Sequence, residues 1–331
     1  MYNPACLSFS RMWENFVGQK EPEMRLLTRS DFDGLACAVL LVEAGVVNEY
    51  KFVHPKDVQD GLIEVTRNDV LANIPYLAGC GLWFDHHSSE DERQKLTEKF
   101  HFEGDSRPAP SCARVIYEFY GGASKFSRLD ETGLMGAVDT SDSAQFTVDE
   151  IQNPKGWVLL SFIMDARTGL GRYRDYRISN YMLMEDMIQY CRTMNADQIL
   201  EIADVQERVK RYFEQEPLYE KMISENSRAD SNVLIVDLHN LDELLSGNRF
   251  KEYVLFPKTN VSIRVIWGFK KQNMVFTVGH SIVNRGSKTD VGSLMLKYGG
   301  GGHRAVGTCQ VPTDVWEAKL NEIVAQMKAD G

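Results

Sequence analysis

Two carboxylates one residue apart, Asp31 and Asp33, stand directly before a glycine and an apolar run in "RSDFDGLACAVLL". Neighbouring like charges repel, so a folded chain that holds Asp-x-Asp at the mouth of a helix usually holds a cation there too. Alone, the same pair reads equally as loop aspartates that cap a helix and sit in water. Further acids and imidazoles fall at what read as strand ends: Asp69 in "VTRNDVLANIP", Asp85, His86 and His87 in "FDHH", and Asp139 in "GAVDTSD". Carboxylates joined by an imidazole offer hard oxygen ligands with one borderline nitrogen. That mixture suits Mn2+ or Mg2+ better than zinc, which favours thiolate and histidine-rich sites. A paired-metal site also needs one carboxylate to bridge ions about 3.5–4 Å apart, and Asp69 is the residue expected to do so.

Such residues need a scaffold that carries them to one place. From Met24 to about Thr140, short apolar runs alternate with helical stretches. "MRLLTRSD" reads as a buried strand, "GLACAVLLVEAG" as a helix closed by Gly45, "NEYKFVHP" as a strand stopped by Pro55, "GCGLWFDHH" as a strand, and "SCARVIYEFYG" as a helix. This rhythm predicts a mostly parallel sheet flanked by helices, with ligands collecting beyond the carboxyl ends of the strands. Residues 178–227 carry helical periodicity without strand signals and are read as a helical connector. Strand signals return in "NVLIVDL", "EYVLFP", "VSIRVIWGF" and "MVFTVGHSI", and a final helix starts near Thr313. The expected fold class is α/β: a metal-binding catalytic domain at 1–177, the connector at 178–227, and a smaller substrate-binding α/β domain with a mixed sheet at 228–331.

Composition narrows the function classes. The chain has 331 residues, 43% hydrophobic and 25% charged, with a net charge of −10. It is therefore no basic platform for duplex nucleic acid, and an anionic substrate must be drawn by a local patch or by bound metal. Six scattered cysteines form no C-x-x-C pair, which points away from a zinc site and from a disulfide framework. The start of the chain has no basic-then-apolar signal pattern, and no apolar stretch approaches the ~20 residues that span a bilayer. A cytoplasmic protein without a membrane partner is expected, and a homodimer is allowed by the sequence rather than specified by it.

The ordered set "SDFDG", "FDHH" and "GGGGH" resembles the DHH phosphoesterases with a DHH-associated C-terminal domain, over most of the chain from Met24 to Val311. That group includes single-strand exonucleases, nano-RNA and 3′,5′-bisphosphate hydrolases, cyclic-dinucleotide phosphodiesterases and exopolyphosphatases. The resemblance implies a first metal on Asp31 and Asp69 and a second on Asp33, Asp69, His86 and Asp139. It implies His87 as a partner of the scissile phosphate, with Asp85 orienting the neighbouring imidazole. In "NRGSKTDVGSLMLKYGGGGHRAVG" it implies that Arg285 and His303 hold a phosphate or terminal nucleotide, and that Gly299, Gly300, Gly301 and Gly302 bring backbone amides to an anion. One position departs. Arg29 stands two residues before Asp31, where the family carries a histidine or an aspartate, and a guanidinium cannot ligate a metal. The first ion then binds weakly, arrives with substrate, or is replaced by the guanidinium itself.

The expected activity is metal-dependent phosphoester hydrolysis of short single-stranded oligonucleotides or small nucleotides, by water activated on one or two Mn2+ or Mg2+ ions. Two other readings stay open: an exopolyphosphatase releasing orthophosphate, and a catalytically weakened regulator that binds nucleotide or polyphosphate. Arg167, Arg172, Arg174 and Arg177 interleave with tyrosines. They could pair with phosphates, although a solvated face with internal ion pairs explains them slightly better. His54, His101 and His239 read as surface or structural histidines; His280 does too, although its place just before Arg285 would also let it line the same cleft.

Overall fold

The structure, a computed structural model, describes residues 24–87 and 102–331. The opening segment, with Cys6, and His101 lie outside the described residues. Strands β1 (Met24–Arg29), β2 (Val47–Val53), β3 (Asp69–Ala72), β4 (Leu82–Asp85) and β5 (Glu103–Ser106) form one sheet in the order β2-β1-β3-β4-β5. Every pairing in it is parallel. Parallel strands must be covered on both faces, and alternation supplies both covers. Leu26, Val70 and Phe84 face a large core of helices, while Leu27, Leu71 and Trp83 face a smaller one. Against the smaller core pack Ile63, Val65, Tyr76, Leu77 and Phe102.

The helices that matter below are α1 (Phe32–Glu43), α2 (Cys112–Phe119), α3 (Leu134–Asp142), α4 (Gly156–Met164), α5 (Asn180–Thr193), α6 (Ala203–Glu225), α7 (Val291–Leu296) and α8 (Trp316–Asp330). In α1 every residue from Phe32 to Leu41 is buried, as expected of a helix that is apolar all round and enclosed by neighbours. The helical stretch after residue 178 does not stand apart from the first sheet: Leu183, Met187, Ile188 and Cys191 of α5 join the core of α1. Helix α6, with 23 residues and so about 35 Å long, places Val205 in that core, Tyr212 in a middle cluster and Tyr219, Met222 and Ile223 beneath the second sheet.

The second sheet contains β6 (Ser227–Asp230), β7 (Val233–Asp237), β8 (Val261–Trp267), β9 (Met274–His280), β10 (Gly301–His303) and β11 (Val306–Val311), in the order β10-β11-β9-β8-β7-β6. It is mixed: β7 and β8 run parallel and the other pairs antiparallel. "EYVLFP" corrects an expectation. It is not a strand but part of a short helix, Lys251–Leu255. The buried Lys251 amine there is held by Glu216 at 2.6 Å and Glu220 at 2.8 Å, contacts that override the β preference of Tyr and Val. The last helix begins at Trp316, three residues beyond Thr313.

The two sheets meet through a middle cluster. The rings of Phe146 and Phe162 stand 4.9 Å apart, and those of Phe146 and Phe250 stand 5.4 Å apart. This apolar seam holds the second half of the chain against the C-terminal edge of the parallel sheet. Among the described residues no helix is long and apolar enough to cross a membrane.

Candidate functional site

From β1 the chain makes β2 on one side and then crosses back to make β3 on the other side of β1, a reversal of strand order that opens a crevice beyond the carboxyl ends of β1 and β3. Asp31 and Asp33 follow β1 into it and take different duties. Asp31 is the N-cap of α1: it accepts the Gly34 amide at 2.9 Å and the Asn73 side-chain amide at 3.0 Å, and pairs with Arg29 Nε at 3.1 Å. Asp33 is buried in the first turn and accepts the Cys112 and Ala113 amides at 2.9 and 2.8 Å, both in the first turn of α2. Gly34 makes this entry possible, because a Cβ there would lie 2.0 Å from the Arg29 carbonyl oxygen.

His86, just after β4, closes the group. Its Nδ1 lies 3.2 Å from the Ala109 carbonyl oxygen. A carbonyl only accepts, so Nδ1 carries a proton, and in the neutral ring Nε2 then keeps the lone pair. That nitrogen is buried without a hydrogen-bond partner among the described residues. It faces Asp142 Oδ2 at 3.2 Å and Asp33 Oδ2 at 3.7 Å. Donor atoms of Asp33, His86 and Asp142 all lie within 4.8 Å of one another. Burial, then the charges of Asp142 and Asp31, push the Asp33 carboxyl well above its ordinary range. Asp142 is raised too, first by the protein around it, against the pull of His86 and with a further push from Asp31. With the His86 ring neutral, its lone pair and the Asp33 and Asp142 oxygens face one another, an arrangement that a divalent cation would resolve. Two carboxylates and an imidazole fit a hard or borderline ion.

His87 and the second sheet form the other wall. Asp85 Oδ1 lies 2.7 Å from His87 Nδ1 and accepts the His86 amide at 2.9 Å. Burial pulls the His87 pKa down, but Asp85 outweighs it and the net shift is upward. The His303 ring from β10 stacks on His87 with centroids 5.6 Å apart and planes 22° apart. Burial, then the neighbouring charges of His87 and His86, lower the His303 pKa. Arg285 donates to the Ala144 carbonyl at 2.7 Å, which ties the second half of the chain to the end of α3.

No protein-family model and no curated protein matches the chain. Among solved structures it matches PggH, a pGpG-specific phosphodiesterase from Vibrio cholerae, at 45% identity and a TM-score of 0.77, over 93% of this chain and 100% of that one. The chain belongs to the DHH phosphoesterase family. It is therefore a hydrolase of phosphoester bonds. A DHH domain described as a member of a family of ribosomal proteins shares the fold alone, at 12% identity and a TM-score of 0.62 over 92% of this chain and 86% of that one.

Within this DHH phosphoesterase, two expected ligands lie elsewhere. Asp69 begins β3 rather than ending it, so it sits at the opposite edge of the parallel sheet, roughly 13 Å of strand away from the crevice. There it accepts from Arg25 Nε at 2.7 Å and from the Thr66 amide and hydroxyl at 2.7 and 2.9 Å, and it cannot bridge ions at the far end. The residue that does follow β3 into the crevice is Asn73, bonded to Asp31. Asp139 is likewise spent, accepting from Ser111 Oγ at 2.7 Å and Arg114 at 2.9 and 2.6 Å. Asp142, one turn further along α3, turns to His86 instead. Sequence reasoning missed both Asn73 and Asp142. The signal for Asp142 was present as the second acid of "DTSD".

The glycine run is also reassigned in part. The Gly299 and Gly300 amides bond to the Leu296 and Met295 carbonyls and, with Gly299 at φ +76°, close α7 in a Schellman motif. Their amides are unavailable to an anion. At Gly300 and Gly302 a Cβ would strike the neighbouring strand β11, at 2.0 Å from Thr308 O and 2.2 Å from Val306 O, whereas at Gly301 it would meet open space. Arg172 donates to the Gly169 and Leu244 carbonyls and to Ser246, and Arg177 forms a two-point pair with Asp204. Arg174 is exposed.

Proposed function

We propose that this DHH phosphoesterase hydrolyses the phosphodiester of short linear oligonucleotides, and that its substrate is a 5′-phosphorylated dinucleotide of the pGpG type. The observation that carries the reading is the 45% identity with a pGpG-specific phosphodiesterase across nearly the whole of both chains. Residues 1–177 then supply the metal end and 228–331 the substrate end, joined by 178–227. Unbridged thiols at Cys37, Cys80, Cys112, Cys191 and Cys309 support a reducing, cytoplasmic setting.

Asp33, His86 and Asp142 would hold the ion, Mn2+ or Mg2+, with Asp31 close by and partly neutralised by Arg29. When bound, such an ion makes water acidic enough to supply a nucleophile near neutral pH and offsets charge building on the phosphoryl oxygens. The chain does the rest. Asp85 holds His87 through Nδ1 and leaves Nε2 for the phosphate, where it protonates the 3′ oxygen as its bond to phosphorus breaks. His303, held neutral beside it, and Arg285 grip the substrate from the second half of the chain. Water adds to phosphorus, the 3′ oxygen leaves with a proton, and a dinucleotide becomes two mononucleotides.

The test is chromatography of products from pGpG, an RNA pentamer and long-chain polyphosphate, each with Mn2+ and with chelator. Metal-dependent conversion of pGpG to GMP supports the proposal. Orthophosphate from polyphosphate with pGpG left intact, or binding without turnover of any of the three, overturns it.

A further inference from the structure

We propose that Arg167 and Arg249 form a second anion site, which receives the 5′-terminal phosphate of the substrate one nucleotide away from the bond that is cut. The inference rests on the dinucleotide reading for its ligand, and on geometry for its place.

Two guanidiniums from distant parts of the chain converge on one carboxylate. Arg167 Nε lies 2.7 and 3.1 Å from the two oxygens of Asp165, and Arg249 Nε lies 3.4 Å from one of them. Two guanidiniums thus share one directly bonded carboxylate, with Asp31 and Asp142 acting on Arg167 from further off. Other arginines nearby are spent differently: Arg177 is matched one to one by Asp204, and Arg172 is spread over carbonyls. Neither member of the pair is sealed away. Arg167 keeps 55% of its side chain accessible and Arg249 29%. Burial, and then the charge of Arg167, hold the Arg249 pKa below its usual range. A second anion relieves that mutual repulsion. A terminal phosphate, carrying more charge than a diester, matches two planar guanidiniums better than a single carboxylate does.

The backbone around the pair is set in advance. Arg167 sits in a 3-10 turn, Ala166–Thr168, capped by Asp165 through the Arg167 amide at 2.9 Å. The Gly247 amide bonds to the Thr168 carbonyl at 3.0 Å, which brings the segment carrying Arg249 alongside. The Arg249 guanidinium rests 4.0 Å from the Phe250 ring centroid, on the apolar seam between the two halves. The position relative to the metal end is also fixed. Asp31 and Asp142 both act electrostatically on Arg167, and a cavity of about 330 Å3 is lined by Ser30, Met164, Asp165 and Ala166. Ser30 adjoins Asp31, so this recess passes from the mouth of β1 to Asp165, the carboxylate the two arginines share, although neither arginine lines it.

The experiment is equilibrium binding of pGpG and of GpG, which differ only in the 5′ phosphate, to the full chain with chelator present so that neither is cut. Wild type is expected to bind pGpG at least about tenfold more tightly. Arg167→Gln and Arg249→Gln are expected to erase the difference by weakening pGpG alone. Asp165→Asn, which breaks the same ion pairs but leaves both cations, is expected to preserve it. Equal affinity of wild type for the two ligands, including none for either, overturns the proposal. So does a loss in Asp165→Asn equal to that in the arginine variants, or weakening of both ligands alike, since each marks a merely structural clasp. A wild type that discriminates the ligands but does not hydrolyse pGpG with Mn2+ contradicts the proposed function and leaves the second anion site standing.

Discussion

At the N-terminal edge of the parallel sheet, Asp69 has both carboxylate oxygens matched by donors, Arg25 on one and Thr66 on the other. At the C-terminal edge, beyond the two amides that hold Asp33, the acceptors of Asp33, Asp142 and His86 turn toward one another. The same residue type thus serves two purposes a few residues of strand apart. Where charge is balanced within the chain, aspartate secures the fold. Where acceptors face acceptors instead, the arrangement fits a cation, and the apolar contacts around α1 hold it in place.

Substitution at the two edges should separate these purposes. The largest effect is expected from His86→Ala or Asp33→Asn. Loss of a ligand removes several kcal/mol of charge stabilisation, so turnover of pGpG should fall by about a thousandfold or more. Steady-state kinetics beside circular dichroism checks it, and retained turnover in both variants breaks the contrast. Asp69→Ala should do the reverse. It removes the buried carboxylate on which the partly exposed Arg25 and the exposed Thr66 converge, so denaturant unfolding should show a loss of about 1–3 kcal/mol. Turnover per folded molecule should stay within about twofold.

These two outcomes bear on what can be read from the sequence. The strands at Leu26-Leu27 and Trp83-Phe84 are legible because they are covered on both faces and runs of this kind advertise parallel strands, whereas the equally covered Val70-Leu71 is too short a run to be read as one. Where such a run starts is not legible. A strand of four residues has no periodicity to mark its first residue, so the sequence alone puts Asp69 at the wrong end and gives no sign of Asn73. Asp139 and Asp142 are three apart on one helix and both near the crevice. Only the placement of Arg114, from another helix, decides which of them is spent. The polar "EGDS" of β5 carries no strand signal at all and pairs because β4 offers it an edge.

Smaller effects sharpen the comparison. Arg29→His replaces a cation paired to Asp31 with a group that can ligate, so Mn2+ affinity, measured calorimetrically, should rise severalfold. Unchanged or weaker affinity places Arg29 outside the ion's reach. Asp165 supplies a pH signature. Burial raises its pKa, but Arg167 and then Arg249 outweigh that and hold it below the ordinary carboxylate range. Its ionised form therefore stabilises the fold above the unfolded value of about 3.9. The contribution is lost as pH falls from there through the folded pKa. The difference in melting temperature between wild type and Asp165→Asn should be largest above about pH 5 and shrink below about pH 4; a difference that grows in acid reverses the sign and contradicts the assignment.

The most direct measurement is Mn2+ binding to the purified chain, followed by calorimetry or electron paramagnetic resonance, in wild type, Asp142→Asn and Asp139→Asn. The structure predicts that Asp142→Asn weakens binding by about tenfold or more, while Asp139→Asn, whose carboxylate is held by Arg114 and Ser111, binds as wild type does. Loss of binding in Asp139→Asn with Asp142→Asn unaffected would contradict the account at its centre.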